Sequence, residues 1–143
     1  MQAVIVDANA PLTLGDVADP DVGDTDVLIE VKAAGLNRAD LMQRAGLYPP
    51  PPGMSETLGL EVAGVVAAVG SGVDEWSVGD RVCALLGGGG YAEFAVAEAG
   101  SIFPIPIDMD FADAACLPEA MMTVWANVFM RGASSSPRRT GNV

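Results

Sequence analysis

The chain has 143 residues, a length that fits one ordinary domain or one domain with a tail. Half of its residues are hydrophobic and 18% are charged, a composition that supports a packed core and argues against wholesale disorder. Seven basic residues against nineteen acidic ones give a formal net charge of -12. A surface this acidic disfavours nucleic acid and anionic membranes as partners.

The sequence contains no histidine, which removes the commonest metal ligand and the commonest general base at neutral pH. Mechanisms of the Ser-His-Asp and Cys-His type are therefore excluded. Cys83 and Cys116 are too few for a disulfide framework or a zinc site, and we expect two buried free thiols in a reducing compartment. The N-terminus shows no secretory signal, and the longest uncharged helical stretch is too short to cross a bilayer. These features predict a cytoplasmic protein.

The first half of the chain is dominated by strand patterns. Hydrophobic residues alternate with Glu30 and Lys32 in the clearest of them, which is typical of a half-buried strand. A short helix, ended by Gly46, interrupts the strands. The predicted strands are Met1–Val6, Leu12–Val17, Val27–Ala33 and Gly59–Gly70, and the predicted helix lies within Asn37–Ala45.

Further strands are predicted at Arg81–Leu86 and Tyr91–Ala97, joined by the glycines Gly87–Gly90. Four consecutive glycines suggest a phosphate-binding loop, but such a loop must lead into a helix. A strand follows here, so we interpret the glycines as a hairpin loop. Short strands at roughly ten-residue spacing favour a small β-barrel or sandwich.

The last part of the chain changes to a helical pattern. Asp110–Ala115 begins a helical turn, and Pro118 with Glu119 opens a longer helix that Gly132 ends. The segment Ala120–Met130 is apolar on nearly every side, so it needs cover from two bodies. We expect it to support self-association when one of those bodies is missing.

The final residues, 133–143, show no hydrophobic periodicity. Residues 131–143 hold three of the seven basic residues and none of the nineteen acidic ones. This shift in composition predicts a disordered tail; out-of-frame translation or an artefact is the alternative.

The densest group of reactive side chains lies around the predicted short helix. Asn37 supplies an amide, Asp40 a carboxylate, Arg44 a guanidinium and Tyr48 a phenol, followed by the prolines Pro49–Pro52. A purely structural interpretation is equally open at this point. Asn37 would then cap the helix, Asp40 would occupy its first turn, and Tyr48 would stack on the prolines.

Four consecutive motifs carry a family resemblance. They are G-L-N-R-A-D-L-M-Q-R-x-G-x-Y with its prolines, L-G-L-E-V-A-G, V-G-D-R-V-x-A-L-L-x-G-G-G-Y-A-E, and A-A-x-L-P-E-A-x-x-T-x-W. In this order they resemble the N-terminal GroES-like catalytic domain of medium-chain dehydrogenases/reductases. The closest branch is that of the zinc-free NAD(P)H:quinone oxidoreductases, the zeta-crystallin-like proteins. The resemblance implies a mainly β (α+β) fold, a GroES-like β-barrel with short helices and a C-terminal linking helix.

The same resemblance implies an organisation and a set of site residues. Residues 1–117 would form the GroES-like domain and 118–132 the linking helix, followed by the tail. Zinc-dependent members have a cysteine at the position of Asn37 and a histidine at the position of Leu60, so zinc is not expected. Asn37 and Tyr48 would line the cleft near the nicotinamide and the quinone, and Thr123 would approach the NADPH cofactor. Asp40 and Glu61 would be structural.

The implied activity is hydride transfer from NADPH to a quinone or an activated alkene. Direct hydride transfer needs orientation and a donor to a developing oxyanion, and neither requires histidine. The family's Rossmann unit would follow Met130, but the sequence there continues with Ser134, Ser135, Ser136 and Pro137. We therefore expect the chain alone to be inactive. The alternative is a non-catalytic barrel that acts as an interaction module or has no role.

The shortage of cysteine and histidine leads to the first prediction, that the protein binds no stoichiometric zinc. Two cysteines without histidine do not supply the three or four nitrogen and sulfur ligands that zinc sites use. Elemental analysis of protein purified without added metal checks this, with a zinc-dependent alcohol dehydrogenase as the positive control. One bound equivalent per chain would contradict it.

Overall fold

A computed structural model describes residues 1–6 and 11–132. Its strands form two antiparallel sheets. The smaller sheet pairs β1 (Gln2–Ile5) with β2 (Thr13–Asp16). The larger sheet has the order β6-β3-β4-β5-β7. Its strands are β3 (Asp26–Ala34), β4 (Glu61–Val69), β5 (Arg81–Leu85), β6 (Phe94–Glu98) and β7 (Ile102–Pro104).

Valine and isoleucine side chains from the central strands form the main core. The alternation predicted for the third strand is confirmed, since Val27 and Ile29 are fully buried while Lys32 is exposed. The apolar run predicted after Gly59 forms β4, whose first four residues are all buried. At Gly64 the backbone of β3 approaches closely, because a Cβ there would lie 2.1 Å from the Glu30 carbonyl oxygen. The register of β3 against β4 shifts on both sides of this approach.

The glycine loop is confirmed as a loop, but the hairpin interpretation is wrong. β6 pairs with β3 rather than with β5, so Gly87–Gly90 lies in a crossover between distant strands. The following strand also starts later than predicted, at Phe94. Ala92 forms a single bridge with Ala3. The backbone of Tyr91 accepts a hydrogen bond from Val4 N at 2.8 Å. This segment therefore joins the two sheets instead of extending one of them.

Within the described residues, three short α-helices lie outside the sheets. They are α1 (Arg38–Arg44), α2 (Phe111–Ala114) and α3 (Pro118–Val124). Asn37 is the N-cap of α1, as the structural interpretation of the sequence predicted, and Gly46 beyond its end has a φ of 71°. Asp110 caps α2 by accepting a hydrogen bond from Asp113 N at 2.8 Å. Proline stands in the first turn of α3, where a missing N–H is tolerated.

The linking helix departs from the prediction of one regular helix, because Trp125–Arg131 is π-helical. The Asn127 side-chain amide donates to the Thr123 carbonyl oxygen at 2.8 Å. This amide competes for the acceptor that an α-helical main chain would use. The main chain also widens, and Gly132 N donates to the Asn127 carbonyl five residues earlier.

The two thiols differ from the expectation that both would be buried. Cys83 lies in β5 and is buried, and burial raises the pKa of its thiol. Cys116 is exposed, so the prediction was wrong for this residue. It lies in the turn between α2 and α3, where its neighbours Ala114 and Ala115 take the buried positions.

One side of the linking helix forms an open apolar groove of about 590 Å³. We call it the C-terminal apolar groove. Its lining side chains are Phe103, Ala120, Met121, Met122, Val124, Trp125 and Phe129. The Trp125 and Phe129 rings stack with their centroids 4.8 Å apart, and both side chains are more than half exposed. Among the described residues, no helix has the length and apolar composition needed to cross a bilayer.

The groove predicts self-association of the isolated chain, because an exposed apolar patch of this kind favours contact with another surface. We expect size-exclusion chromatography with light scattering to show dimers or larger species. Trp125→Ser should shift the population toward monomer. Val78→Ser, which removes an apolar side chain that is 68% exposed against 56% for Trp125 and does not line the groove, should leave the population unchanged. A strict monomer at high concentration would refute the prediction.

Candidate functional site

Two buried carboxylates organise the region around Asn37. Asp40, in the first turn of α1, is 5% exposed, and Glu61, the first residue of β4, is 4% exposed. Buried carboxylates are costly unless hydrogen-bond donors replace the lost water. Neutral groups donate to both of them: backbone N–H groups, an amide and a phenol. These hydrogen bonds show how Asp40 and Glu61 fill the structural role that was predicted for them.

Glu61 uses both of its carboxylate oxygens. Oε1 accepts from Asn37 Nδ2 at 2.9 Å, and Oε2 accepts from the backbone N of Glu119 at 2.9 Å. Gly35 makes room for the carboxylate, because a Cβ at this position would lie 2.3 Å from Oε1. Glu61 thus connects Asn37 to the first turn of α3.

Asp40 holds the backbone of the same asparagine. Its Oδ2 accepts from Asn37 N at 2.7 Å and from the Tyr91 hydroxyl at 2.7 Å. The Tyr91 oxygen also lies 3.2 Å from the Gly35 carbonyl oxygen. The hydroxyl has one proton, and it donates that proton to Asp40 because the contact to Asp40 is shorter. Asp40 Oδ1 is buried and has no hydrogen-bond partner among the described residues. Asn37 is therefore fixed at its main chain by Asp40 and at its side chain by Glu61.

Tyr91 is the residue of this site that sequence reasoning missed. Burial raises the pKa of its phenol well above the ordinary value of 10.0, and the hydrogen bond to Asp40 and the charges of Asp40 and Glu61 raise it further. The phenol consequently stays protonated and remains a donor at neutral pH. The sequence signal for Tyr91 is an aromatic hydroxyl directly after Gly90, and a strand pattern at Tyr91–Ala97 gives no indication that this hydroxyl contacts Asp40.

Of the other predicted site residues, Thr123 joins the network and Tyr48 does not. The Thr123 hydroxyl donates to Glu119 Oε1 at 3.2 Å, one helical turn away on α3. Asn37 and Thr123 are thereby linked through Glu61 and Glu119. Tyr48 lies in the loop after α1, is 45% exposed and makes no hydrogen bond within the described part of the chain.

A second cavity, of about 340 Å³, lies beside Asn37 on the Tyr91 side of the network. Leucine side chains form much of its wall. Its lining residues are Leu12, Leu36, Asn37, Arg38, Asp40, Leu41, Arg44, Leu58 and Tyr91. The cavity is suited to an apolar molecule that carries a few polar atoms.

The described residues offer neither a metal centre nor a phosphate loop. No group of three or more metal-ligating side chains occurs among residues 1–6 and 11–132. In the glycine loop, Gly89 N donates to the Thr57 carbonyl and Gly90 N donates to the Gly59 carbonyl. These N–H groups are committed to the protein backbone, which agrees with the interpretation of the loop as structural.

The curled antiparallel sheet with a few short helices is the architecture of a GroES-like domain. The family model described as the alcohol dehydrogenase GroES-like domain matches residues 23–107, and the chain belongs to this family. The resemblance read from the four sequence motifs is thus confirmed, as is the GroES-like fold. The proposed boundaries at residues 117 and 132 stay predictions, and the tail lies outside the described residues.

Similar proteins include two named reductases. The chain is 40% identical over 103 residues to the quinone oxidoreductase of Rattus norvegicus, covering 71% of this chain and 31% of the relative. It is 35% identical over 133 residues to the trans-enoyl reductase tazE of Aspergillus terreus, covering 85% and 44%. The structure of Escherichia coli quinone oxidoreductase complexed with NADPH matches with a TM-score of 0.74 and 30% identity, covering 91% and 40%. The chain therefore spans less than half the length of these relatives.

The partly buried phenol of Tyr91 leads to a prediction about alkaline pH. A folded-state pKa above the unfolded value means that the folded chain holds this proton where the unfolded chain has lost it. The stability from the Tyr91 proton is complete below about pH 10 and declines as the pH rises from there toward the folded pKa.

The raised pKa of Tyr91 is measured by pH titration of tyrosinate absorbance in the native chain and in Tyr91→Phe. The difference between the two curves is the Tyr91 component. The Tyr91 component should appear only above the ordinary tyrosine range, and denaturant should return it to about pH 10. A native midpoint at the ordinary value would show that the phenol does not hold the described hydrogen bond.

Proposed function

We propose that this chain supplies the substrate-facing part of a nicotinamide-dependent oxidoreductase that transfers hydride to a quinone or an activated alkene. The observation that carries the proposal is the Asn37 amide, a neutral donor fixed by two buried carboxylates beside an apolar cavity. The relatives named quinone oxidoreductase and trans-enoyl reductase support the same reaction class.

The chemistry of the acceptor explains why such an amide is useful. A quinone or enone oxygen gains negative charge as hydride arrives, and a pre-oriented N–H stabilises that charge without any proton transfer by the protein. Asn37 Nδ2 gives one hydrogen to Glu61 and retains a second N–H for the acceptor oxygen. We propose Tyr48, whose exposed phenol lies on the loop after α1, as a second donor. Water supplies the final proton.

NADPH, when bound, supplies the hydride from C4 of its nicotinamide. The described residues fit the nicotinamide end of this cofactor. Thr123 is exposed on α3, and because its proton is donated to Glu119, its oxygen lone pairs can accept a hydrogen bond from a carboxamide. Asn37 is joined to Thr123 through the hydrogen bonds of Glu61 and Glu119.

The phosphates and riboses need other residues. Gly89 N and Gly90 N of the glycine loop donate to backbone carbonyls, and the acidic surface repels an anionic cofactor. We therefore propose that groups outside the described residues hold the remote end of NADPH. Positioning supplies about 7–11 kcal/mol in well-oriented reactions, and losing the remote anchor removes the binding energy that would achieve it.

This proposal predicts weak NADPH binding and negligible quinone reduction by the 143-residue chain alone. Fluorescence titration and a quinone-dependent NADPH oxidation assay measure the two quantities. Adding the separately produced nucleotide-binding part of a quinone oxidoreductase should restore some turnover, at the entropic cost of association. Micromolar affinity with turnover by the chain alone would contradict the proposal, and failure under all conditions would favour a non-catalytic interaction module.

In the reconstituted assay, Asn37→Ala should lower turnover by roughly 10²–10³-fold, the usual cost of losing one oxyanion donor. Gln2→Ala removes an amide that is hydrogen-bonded to Asp16 in the small sheet, and it should leave turnover nearly unchanged. Equal losses in both variants would show that Asn37 has no special part in the reaction.

A further inference from the structure

The two ends of an asparagine amide have nearly the same size and opposite hydrogen-bonding character. Whether the amide offers a ligand an N–H or an oxygen lone pair on a given side therefore depends on which end the protein places there. In this chain Asn37 Nδ2 lies 2.9 Å from Glu61 Oε1. A carboxylate only accepts hydrogen bonds, so the NH₂ end of Asn37 faces Glu61 and the carbonyl end is turned away.

Glu61 is itself held so that it acts as an acceptor at both oxygens. Its second oxygen accepts from Glu119 N, and this backbone N–H can only donate. The residue is 4% exposed, and Gly35 leaves no spare space against Oε1. Asn37 Nδ2 and Glu119 N therefore both donate hydrogen bonds to Glu61. The Glu119 backbone N–H in α3 cannot become an acceptor, so Glu61 must always accept from it.

We infer that Glu61 is a positioning residue that orients the Asn37 amide with its second N–H available to a ligand oxygen. The inference rests on the proposed function for the ligand, a quinone or enone carbonyl. The orientation itself rests only on the hydrogen bonds around Glu61. No other described group accepts from Asn37 Nδ2. The capping box of α1 also engages the Asn37 side chain, but Glu61 is the group that holds its NH₂ end. Without Glu61 that end loses its acceptor, and the amide oxygen can turn toward the ligand oxygen and repel it.

Substitution of Glu61 by glutamine replaces one accepting oxygen with a donating NH₂ group and hardly changes the side-chain volume. A glutamine has one accepting and one donating end. Its oxygen must serve Glu119 N, so its NH₂ group meets Asn37 and forces the Asn37 carbonyl to turn toward it. The double variant Asn37→Asp with Glu61→Gln restores a complementary pair, because a carboxylate at position 37 accepts from the glutamine amide, but it removes the donor from the site.

The test records side-chain amide NMR signals of Asn37 in the labelled 143-residue chain, with duroquinone as the probe ligand. In the native chain one Asn37 amide proton should show the downfield shift and slow exchange of a hydrogen bond to a carboxylate. Glu61→Gln should abolish both and weaken duroquinone binding roughly fivefold to tenfold. Glu119→Gln is the matched control, since it keeps the backbone N–H and should leave the Asn37 signals unchanged.

Chemical denaturation keeps the test decisive if Glu61→Gln folds poorly. Both single variants should lose stability, and the double variant should regain most of it. An unchanged Asn37 signal in folded Glu61→Gln would overturn the inference. So would a double variant whose loss of unfolding free energy equals or exceeds the sum of the losses in the two single variants. Loss of the downfield proton without any effect of duroquinone on native Asn37 would leave Glu61 as the orienting residue and refute the proposed function instead.

Discussion

The double acceptance of hydrogen bonds by Glu61 is the constraint on which the site depends. One carboxylate joins the loop before α1, the start of β4 and the first turn of α3. Water can no longer solvate the buried charge, so the two N–H groups must stay in place to compensate for it. The three elements are therefore held together by an energetic requirement that apolar packing alone would not impose.

Asp40 is a second buried carboxylate that contacts Asn37, at its main chain rather than its side chain. It gathers the Asn37 main chain and the Tyr91 phenol onto one oxygen, and both of these donors are uncharged. Neutral donors stabilise a buried carboxylate without cancelling its charge.

Much of the fold could be predicted from local patterns. The alternation around Ile29, the helix start at Asn37 and the proline that opens α3 depend only on neighbours in sequence, and all three were confirmed. The exposure of Cys116 and the π-helical turn were not predicted, because competing neighbours decide them. The hydrogen bonds of Glu61 join residues 24 and 58 positions apart, and no sequence period records such contacts.

The segment that joins the two sheets also has a consequence for the order of folding. The hydrogen bond from Gln2 N to Glu93 Oε2 closes a loop across a sequence separation of 91 residues. Closing so long a loop costs more chain entropy than forming any local hairpin, so contacts of this kind tend to form late. Tyr91 lies in that segment, and its backbone N also donates to the Leu58 carbonyl at 2.8 Å, a contact that does not involve β1. The shorter-range contact fixes Tyr91 at a smaller entropic cost, so the docking of β1 on Glu93 is the step that the loop-closure entropy delays.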